Sequence, residues 1–181
     1  MVTDSTFLDL FAVISLDGRI ALNTSDSIHW SSQEDKLILN QAIQDYDVFL
    51  MGRVTYEVCQ EMLATKRCVV ISRQSTIPGM TGDGCTLFNP EKSDFKAFLA
   101  QFSAQKVALF GGASIYRWAL ERNLVRKIFL TLEPLIMGGG ISLTGSEPPW
   151  QSLDGWLLKD CRKLNDRGTL QLTYVKEVSG D

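Results

Sequence analysis

The chain has 181 residues, about 45% of them hydrophobic, with 18 basic and 21 acidic side chains for a net charge of −3. That length suits one domain, and the composition allows a proper core without disulfide or metal staples. The mild acidity argues against a general nucleic-acid binder, which needs a basic face. No apolar run approaches the roughly 18–20 residues that span a bilayer, and the N-terminus lacks a basic leader region. The four cysteines, Cys59, Cys68, Cys85 and Cys161, form no C-x-x-C pair, and His29 is the single histidine. A zinc site is therefore not expected, and a cytoplasmic protein with reduced thiols is.

Leu8–Ser15 is short, apolar and rich in branched residues, which predicts a buried strand ended by Asp17-Gly18. Asn23 to Ile28 is polar and reads as a mobile loop. A helix is predicted after Ser31 or Ser32, since serine is a good N-cap and Glu34 and Asp35 put negative charge in the first turn. Strands follow at Asp47–Met51, Arg67–Ser72, Lys106–Phe110 and Lys127–Leu132. Helices are predicted over Val54–Leu63, after Asn89-Pro90 and over Ser114–Arg122. In the second of these, Phe95, Phe98, Leu99 and Phe102 recur at helical spacing. Gln74–Gly84 is a loop. Trp156–Leu164 and Thr169–Lys176 read as two strands joined by Asn165-Asp166-Arg167-Gly168, a hairpin turn. Alternating β and α units with a terminal hairpin predict one α/β domain over residues 1–181, built on a mostly parallel sheet with helices on both faces.

Three strand ends carry anion-binding chemistry. In Leu109–Tyr116 a buried strand runs into Gly111-Gly112 and then a helix, whose free N–H groups suit a phosphate; the alternative is a tight turn. In Phe49–Glu57 a strand ends at Gly52, with Arg53 and Thr55 opening the next helix. Arginine pairs with phosphate in a bidentate fork, while Thr55 binds phosphate or caps the helix. Ile71-Ser72-Arg73 adds another hydroxyl and another arginine. Asp35, five residues after Trp30, either complements the helix dipole or faces a substrate ring nitrogen as a partly buried acid. His29 reads as a loop residue, structural or exposed rather than catalytic, and Trp118 and Trp150 read as packing residues. Gly138-Gly139-Gly140 reads as a flexible loop or a close backbone approach.

Taken in order, Ser15–Ala21 (SLDGRIA), Trp30–Asp35 (WSSQED), Met51–Glu57 (MGRVTYE), Val69–Arg73 (VVISR), Phe110–Tyr116 (FGGASIY) and Ile128–Gly140 (IFLTLEPLIMGGG) resemble the dihydrofolate reductase-like superfamily, and within it the reductase domains of riboflavin biosynthesis. The resemblance spans Phe11 to about Val175. It implies a three-layer α/β/α fold and NADPH as hydride donor. It places Gly52, Arg53 and Thr55 at the first phosphate-binding turn and Ser72 and Arg73 near the adenosine 2′-phosphate. Gly111, Gly112, Ala113, Ser114 and Ile115 fall at the pyrophosphate turn, and Val13 and Ile20 beside the nicotinamide. Asp35 falls where folate enzymes carry their proton-managing acid, with Thr131 supporting it. Trp30 and Lys36 are the expected substrate contacts, and a homodimer is the expected assembly.

Two branches of the superfamily compete. SLDGRIA and PLIMGGG are similar to the riboflavin enzymes, which reduce a ribosylamino-pyrimidine phosphate. The Trp30/Asp35 spacing and MGRVTYE are similar to the folate enzymes, which reduce dihydropterin. Lys66 stands near the place of the folate enzymes' arginine, and a lysine cannot make the same planar clamp. The expectation is therefore a riboflavin-type reductase, with a dihydrofolate reductase second. A nucleotide-binding module without catalysis is the rival from another class.

Overall fold

The structure is a computed structural model that describes residues 7–24, 26, 29–74, 85–102, 105–145 and 154–177. In chain order these form β1 (Leu8–Ser15), β2 (Arg19–Ala21), α1 (Gln33–Asp45), β3 (Val48–Gly52), α2 (Arg53–Cys59), β4 (Arg67–Ile71), β5 (Cys85–Phe88) and α3 (Phe95–Leu99). A single 3₁₀ turn, Ala100–Phe102, extends α3. Then come β6 (Val107–Gly111), α4 (Ala113–Glu121), β7 (Val125–Glu133), β8 (Ile141–Ser142), β9 (Trp156–Lys163) and β10 (Leu170–Lys176).

Eight strands make one sheet in the order β5-β4-β3-β6-β1-β7-β10-β9, and β2 pairs with β8 in a small second sheet. The pairings from β5 across to β7 are parallel, while β10 runs antiparallel to both β7 and β9. This is the expected mostly parallel sheet with an antiparallel C-terminal hairpin.

Strand alternation splits the core in two. Leu8, Leu10, Val48, Leu50, Val69 and Leu109 point to the face covered by α3 and α4. Phe49, Met51, Cys68, Val70, Ala108 and Phe110 point to the other, with Ile43 of α1 and Tyr56 and Cys59 of α2. Helices on both faces confirm the three-layer arrangement. Phe49, Leu50 and Met51 are fully buried. Each such side chain contributes about 1.5–3 kcal/mol relative to exposure, which is why the central strands read so clearly as apolar runs.

Several expected boundaries move. α2 ends at Cys59 rather than Leu63, and α3 is α-helical only from Phe95 to Leu99. β5 and the short β2 and β8 were not expected. Cys85–Phe88 carries little alternation of its own and is held as a strand by pairing with β4. β2 and β8 exist because Gly140, at φ +105°, passes close to Ala21, where an added Cβ would lie 2.3 Å from the Ala21 carbonyl oxygen. Gly138-Gly139-Gly140 is thus a close backbone approach at its last residue. Residues 75–84 of the expected loop, residues 25, 27 and 28 of the Asn23–Ile28 loop, and Trp150 lie outside the described residues.

Candidate active site

The C-terminal ends of β1, β3, β4, β6 and β7 open on a cavity of about 810 Å³. In a parallel α/β sheet this edge is where helices begin, so backbone N–H groups collect there. Ser32 caps α1 by accepting the Asp35 N–H at 3.2 Å, and Asp94 caps α3 through the Ala97 N–H at 2.7 Å. The other two helices start at Gly52 and Gly112, which offer no side chain to their first turns. Both of these starts line the cavity.

They also lie against each other. A Cβ on Gly112 would sit 3.6 Å from Thr55 Oγ1, and one on Gly52 would sit 3.1 Å from Ile115 Cγ1. Gly111, at φ +88°, meets the Tyr116 ring, where a Cβ would lie 2.5 Å from a ring carbon. The missing side chains keep a cleft open beside uncapped N–H groups, and Arg53 stands at its rim. Uncapped N–H groups beside an arginine are donor chemistry that suits an anion. Arg53 Nη1 pairs with Glu57 at 2.6 Å on the helix surface. Such an exposed pair is worth little, so a ligand anion can take the guanidinium over. Val13, Ile20, Gly52, Arg53, Thr55, Gly112, Ala113, Ser114 and Ile115 all line the cavity.

Ser72 and Arg73 do not line it. They follow Ile71, the last residue of β4 and itself a lining residue. Arg73 is strongly exposed, 3.9 Å from Glu91. Both therefore sit on the outward extension of the same rim.

On the α1/α2 face the cavity is walled by Phe11, Ile38, Leu39, Val54, Val58, Phe110 and Phe129. Burial pushes the Cys59 thiol, also on this wall, up to about 11, so it stays protonated and serves as packing. Asp35 lies at the floor, 8% exposed. Burial holds its proton affinity above the ordinary carboxylate value, and the nearby charge of Glu133 adds to this. The hydroxyls of Thr131 and Ser31 hydrogen-bond the carboxyl and work the other way, as does Lys36. The expected Asp35–Thr131 pair is therefore in place. Lys36 is exposed on α1 and does not line the cavity. Trp30 is half-buried just before α1, and its Nε1 is enclosed without a hydrogen-bond partner among the described residues.

Three residues were not anticipated. Glu133, two positions after Thr131 on the same strand face, is buried. Its Oε1 accepts the Ser32 N–H at 2.7 Å and its Oε2 accepts the Thr169 hydroxyl at 2.7 Å. Gln171 stands opposite Thr131 in the β7–β10 register and lines the cavity. Tyr116 donates its hydroxyl to the Phe11 carbonyl at 2.5 Å from the cavity wall. Alternation along β7 and β10 marks which side chains share the Thr131 face. The sequence does not say which strands pair, so nothing in it joined Gln171 to Asp35.

Comparison with known proteins agrees with this geometry. A family model described as the RibD C-terminal domain matches residues 6–170. The uncharacterized protein YwjB of Bacillus subtilis is 25% identical over 142 residues, 74% of this chain and 80% of that protein. Dihydrofolate reductase type 8 of Escherichia coli is 26% identical over 112 residues, 61% of this chain and 66% of the relative. The fold matches that of RibD from Acinetobacter baumannii with a TM-score of 0.79 at 16% identity; the match covers 98% of this chain and 60% of the longer protein. The chain belongs to the RibD C-terminal domain family, within the dihydrofolate reductase-like fold.

Proposed function

We propose that the chain is an NADPH-dependent reductase of the riboflavin-biosynthesis type, acting on a ribosylamino-pyrimidine of the 5-amino-6-(5-phosphoribosylamino)uracil kind. One observation carries this reading: two uncapped helix starts and a buried carboxyl, whose proton affinity burial raises, open on the same cavity. Family membership supports a reductase, and the donor set of the cleft supports a phosphate-bearing cofactor.

When bound, NADPH supplies the hydride. The protein's part is to bind, orient and protonate. The first turns of α2 and α4, with Arg53 and Thr55, hold the phosphates. Val13 and Ile20 give the reacting ring an apolar seat, and Arg73 at the outer rim meets the 2′-phosphate. On the substrate side, the apolar walls exclude water and hold a flat ring, while Asp35 keeps a proton for the nitrogen of the C=N bond being reduced. Thr131 and Ser31 fix the Asp35 carboxyl. Lys36, beside Asp35 at the surface, is the cation assigned to the substrate phosphate, and Trp30 packs at the start of the same helix. Asn23, Thr24 and Asp26 also line the cavity, and the loop they belong to is assigned the closing of the site over a ligand.

A second reading, reduction of dihydropterin, is favoured by the Asp35–Thr131 pair on α1 and β7 and by the match to a dihydrofolate reductase. A homodimer in the cytoplasm completes the proposal; no described helix is long and apolar enough to cross a membrane. The deciding assay is NADPH oxidation by the purified protein with the ribosylamino-pyrimidine phosphate and dihydrofolate in parallel. Turnover of the pyrimidine alone supports the first reading, and turnover of dihydrofolate alone replaces it with the second. Cofactor binding with neither substrate consumed favours a nucleotide-binding module.

A further inference from the structure

Gln171 is 5% exposed, yet its side chain lines the cavity. Its Oε1 accepts a hydrogen bond from Arg162 Nη2 at 2.9 Å. Arg162 is itself tied to Asp160, Nε to Oδ2, at 2.7 Å. A guanidinium only donates, so the amide oxygen of Gln171 must face Arg162 and the amide nitrogen must point away from it. No described residue accepts from that nitrogen, and it is not among the polar atoms sealed from solvent without a partner. Its N–H groups therefore open on the cavity. A donor held in fixed orientation inside a largely apolar cavity discriminates strongly, because a wrong partner leaves it unpaired.

Its neighbour completes the pattern. Thr131 is the β7 residue in register with Gln171, and Thr131 hydrogen-bonds Asp35. The cavity thus presents, both next to Thr131, a carboxyl oxygen that accepts and an amide that donates. We propose that Gln171 is a specificity-determining residue: it donates to a ring carbonyl while Asp35 accepts the adjacent ring N–H, so the pair reads the –NH–C(=O)– edge of an oxo-pyrimidine ring. Arg162 is a positioning residue that stops the amide from flipping. This rests on the reading that the Asp35 side of the cavity holds the substrate. An amino group in place of the carbonyl sets donor against donor at Gln171.

The probes are pterin and 2,4-diaminopteridine, which differ at the ring position that Gln171 would read. Their dissociation constants are measured by fluorescence quenching, with and without saturating NADPH. Wild type should bind pterin at least ~10-fold more tightly, as expected where a site built to pair with one polar group meets a mismatched one. Gln171→Glu replaces the donor by an acceptor and keeps the partner of Arg162, so it should reverse the preference. Arg162→Ala should shrink the preference toward equality without reversing it, and thermal melts show whether each variant is folded. Equal affinities in wild type, no binding of either ring, or an unchanged ratio in folded Gln171→Glu would overturn the assignment. A wild-type protein that fails to bind NADPH but still shows the ratio overturns the cofactor reading instead.

Discussion

Glu133 and Ser32 lie 101 positions apart in sequence, yet the Glu133 carboxylate receives the Ser32 backbone N–H at 2.7 Å. Ser32 is the cap of α1, so a strand residue fixes the start of the helix that carries Asp35. Thr169 holds the other oxygen of Glu133, and Asn165 Nδ2 reaches both Thr169 Oγ1, at 3.0 Å, and Glu34 Oε2, at 2.9 Å. The turn of the C-terminal hairpin thereby braces the acid's helix.

Glu133→Gln keeps an acceptor for Ser32, and the Thr169 hydroxyl can rotate to accept from the new amide. The substitution removes a negative charge near Asp35, which lowers the proton affinity of Asp35. Carbon-13 carboxyl titration, with Asp35→Asn to assign the signal, should show Asp35 ionising at lower pH in the variant. An unmoved titration would show that Glu133 only anchors the helix.

Asp35→Asn is predicted to leave NADPH affinity nearly intact while turnover falls by ~10²-fold or more. Its effect on stability has the opposite sign. Asp35 binds its proton more tightly folded than unfolded, so its contribution is fullest below the ordinary value of 3.8 and declines as pH rises through the raised folded value. Asparagine never ionises. The variant should therefore melt higher than wild type at pH 7, with the gap closing toward acid. Thermal melts of the two proteins, followed from below the ordinary value of 3.8 up to neutral pH, check it.

Replacing Arg53 and Arg73 together by alanine should weaken NADPH much more than NADH. A lost hydrogen bond to a charged group costs about 1.5–3 kcal/mol, roughly 10-fold or more in affinity. Equal losses for the two cofactors would remove both arginines from 2′-phosphate recognition.

The join between the β1–β2 turn and the Gly138–Gly140 segment is steric and electrostatic. Gly140→Ala would drive a Cβ into the Ala21 backbone and should cost on the order of 2 kcal/mol or more, whereas Gly138→Ala, with nothing within 4 Å, should cost only the ~1–2 kcal/mol of its positive φ. Asp17 accepts from the Ser15 hydroxyl and from the backbone N–H groups of Met137 and Gly138, which holds its carboxyl down at about 2. The stabilisation from Asp17 is present above 3.8 and is lost as pH falls toward about 2. Asp17→Asn should show a correspondingly smaller loss of melting temperature on acidification.

The sheet was legible because its central strands are continuous apolar runs, and α1 because Ser32 and Asp35 mark its first turn. The two helix starts on the cavity were legible as glycine after strand at Gly52 and at Gly111-Gly112. What escaped depends on pairing between distant segments. Gln171 belongs to a strand whose role becomes visible only once β10 lies against β7. Glu133 reads as an ordinary strand end until Ser32 is beside it. Cys85–Phe88 is a strand by virtue of its neighbour rather than its own pattern. Ser72 and Arg73 do not line the cavity, although Ile71 just before them does and is in register with Gly52.

Titration of the purified protein with NADPH, followed by fluorescence, tests the central claim that the paired helix starts hold this cofactor. Saturable one-to-one binding in roughly the micromolar range, with NADH distinctly weaker, is the predicted result. No saturation with either nucleotide up to about millimolar concentration, on the order of the upper end of that range, would contradict the account.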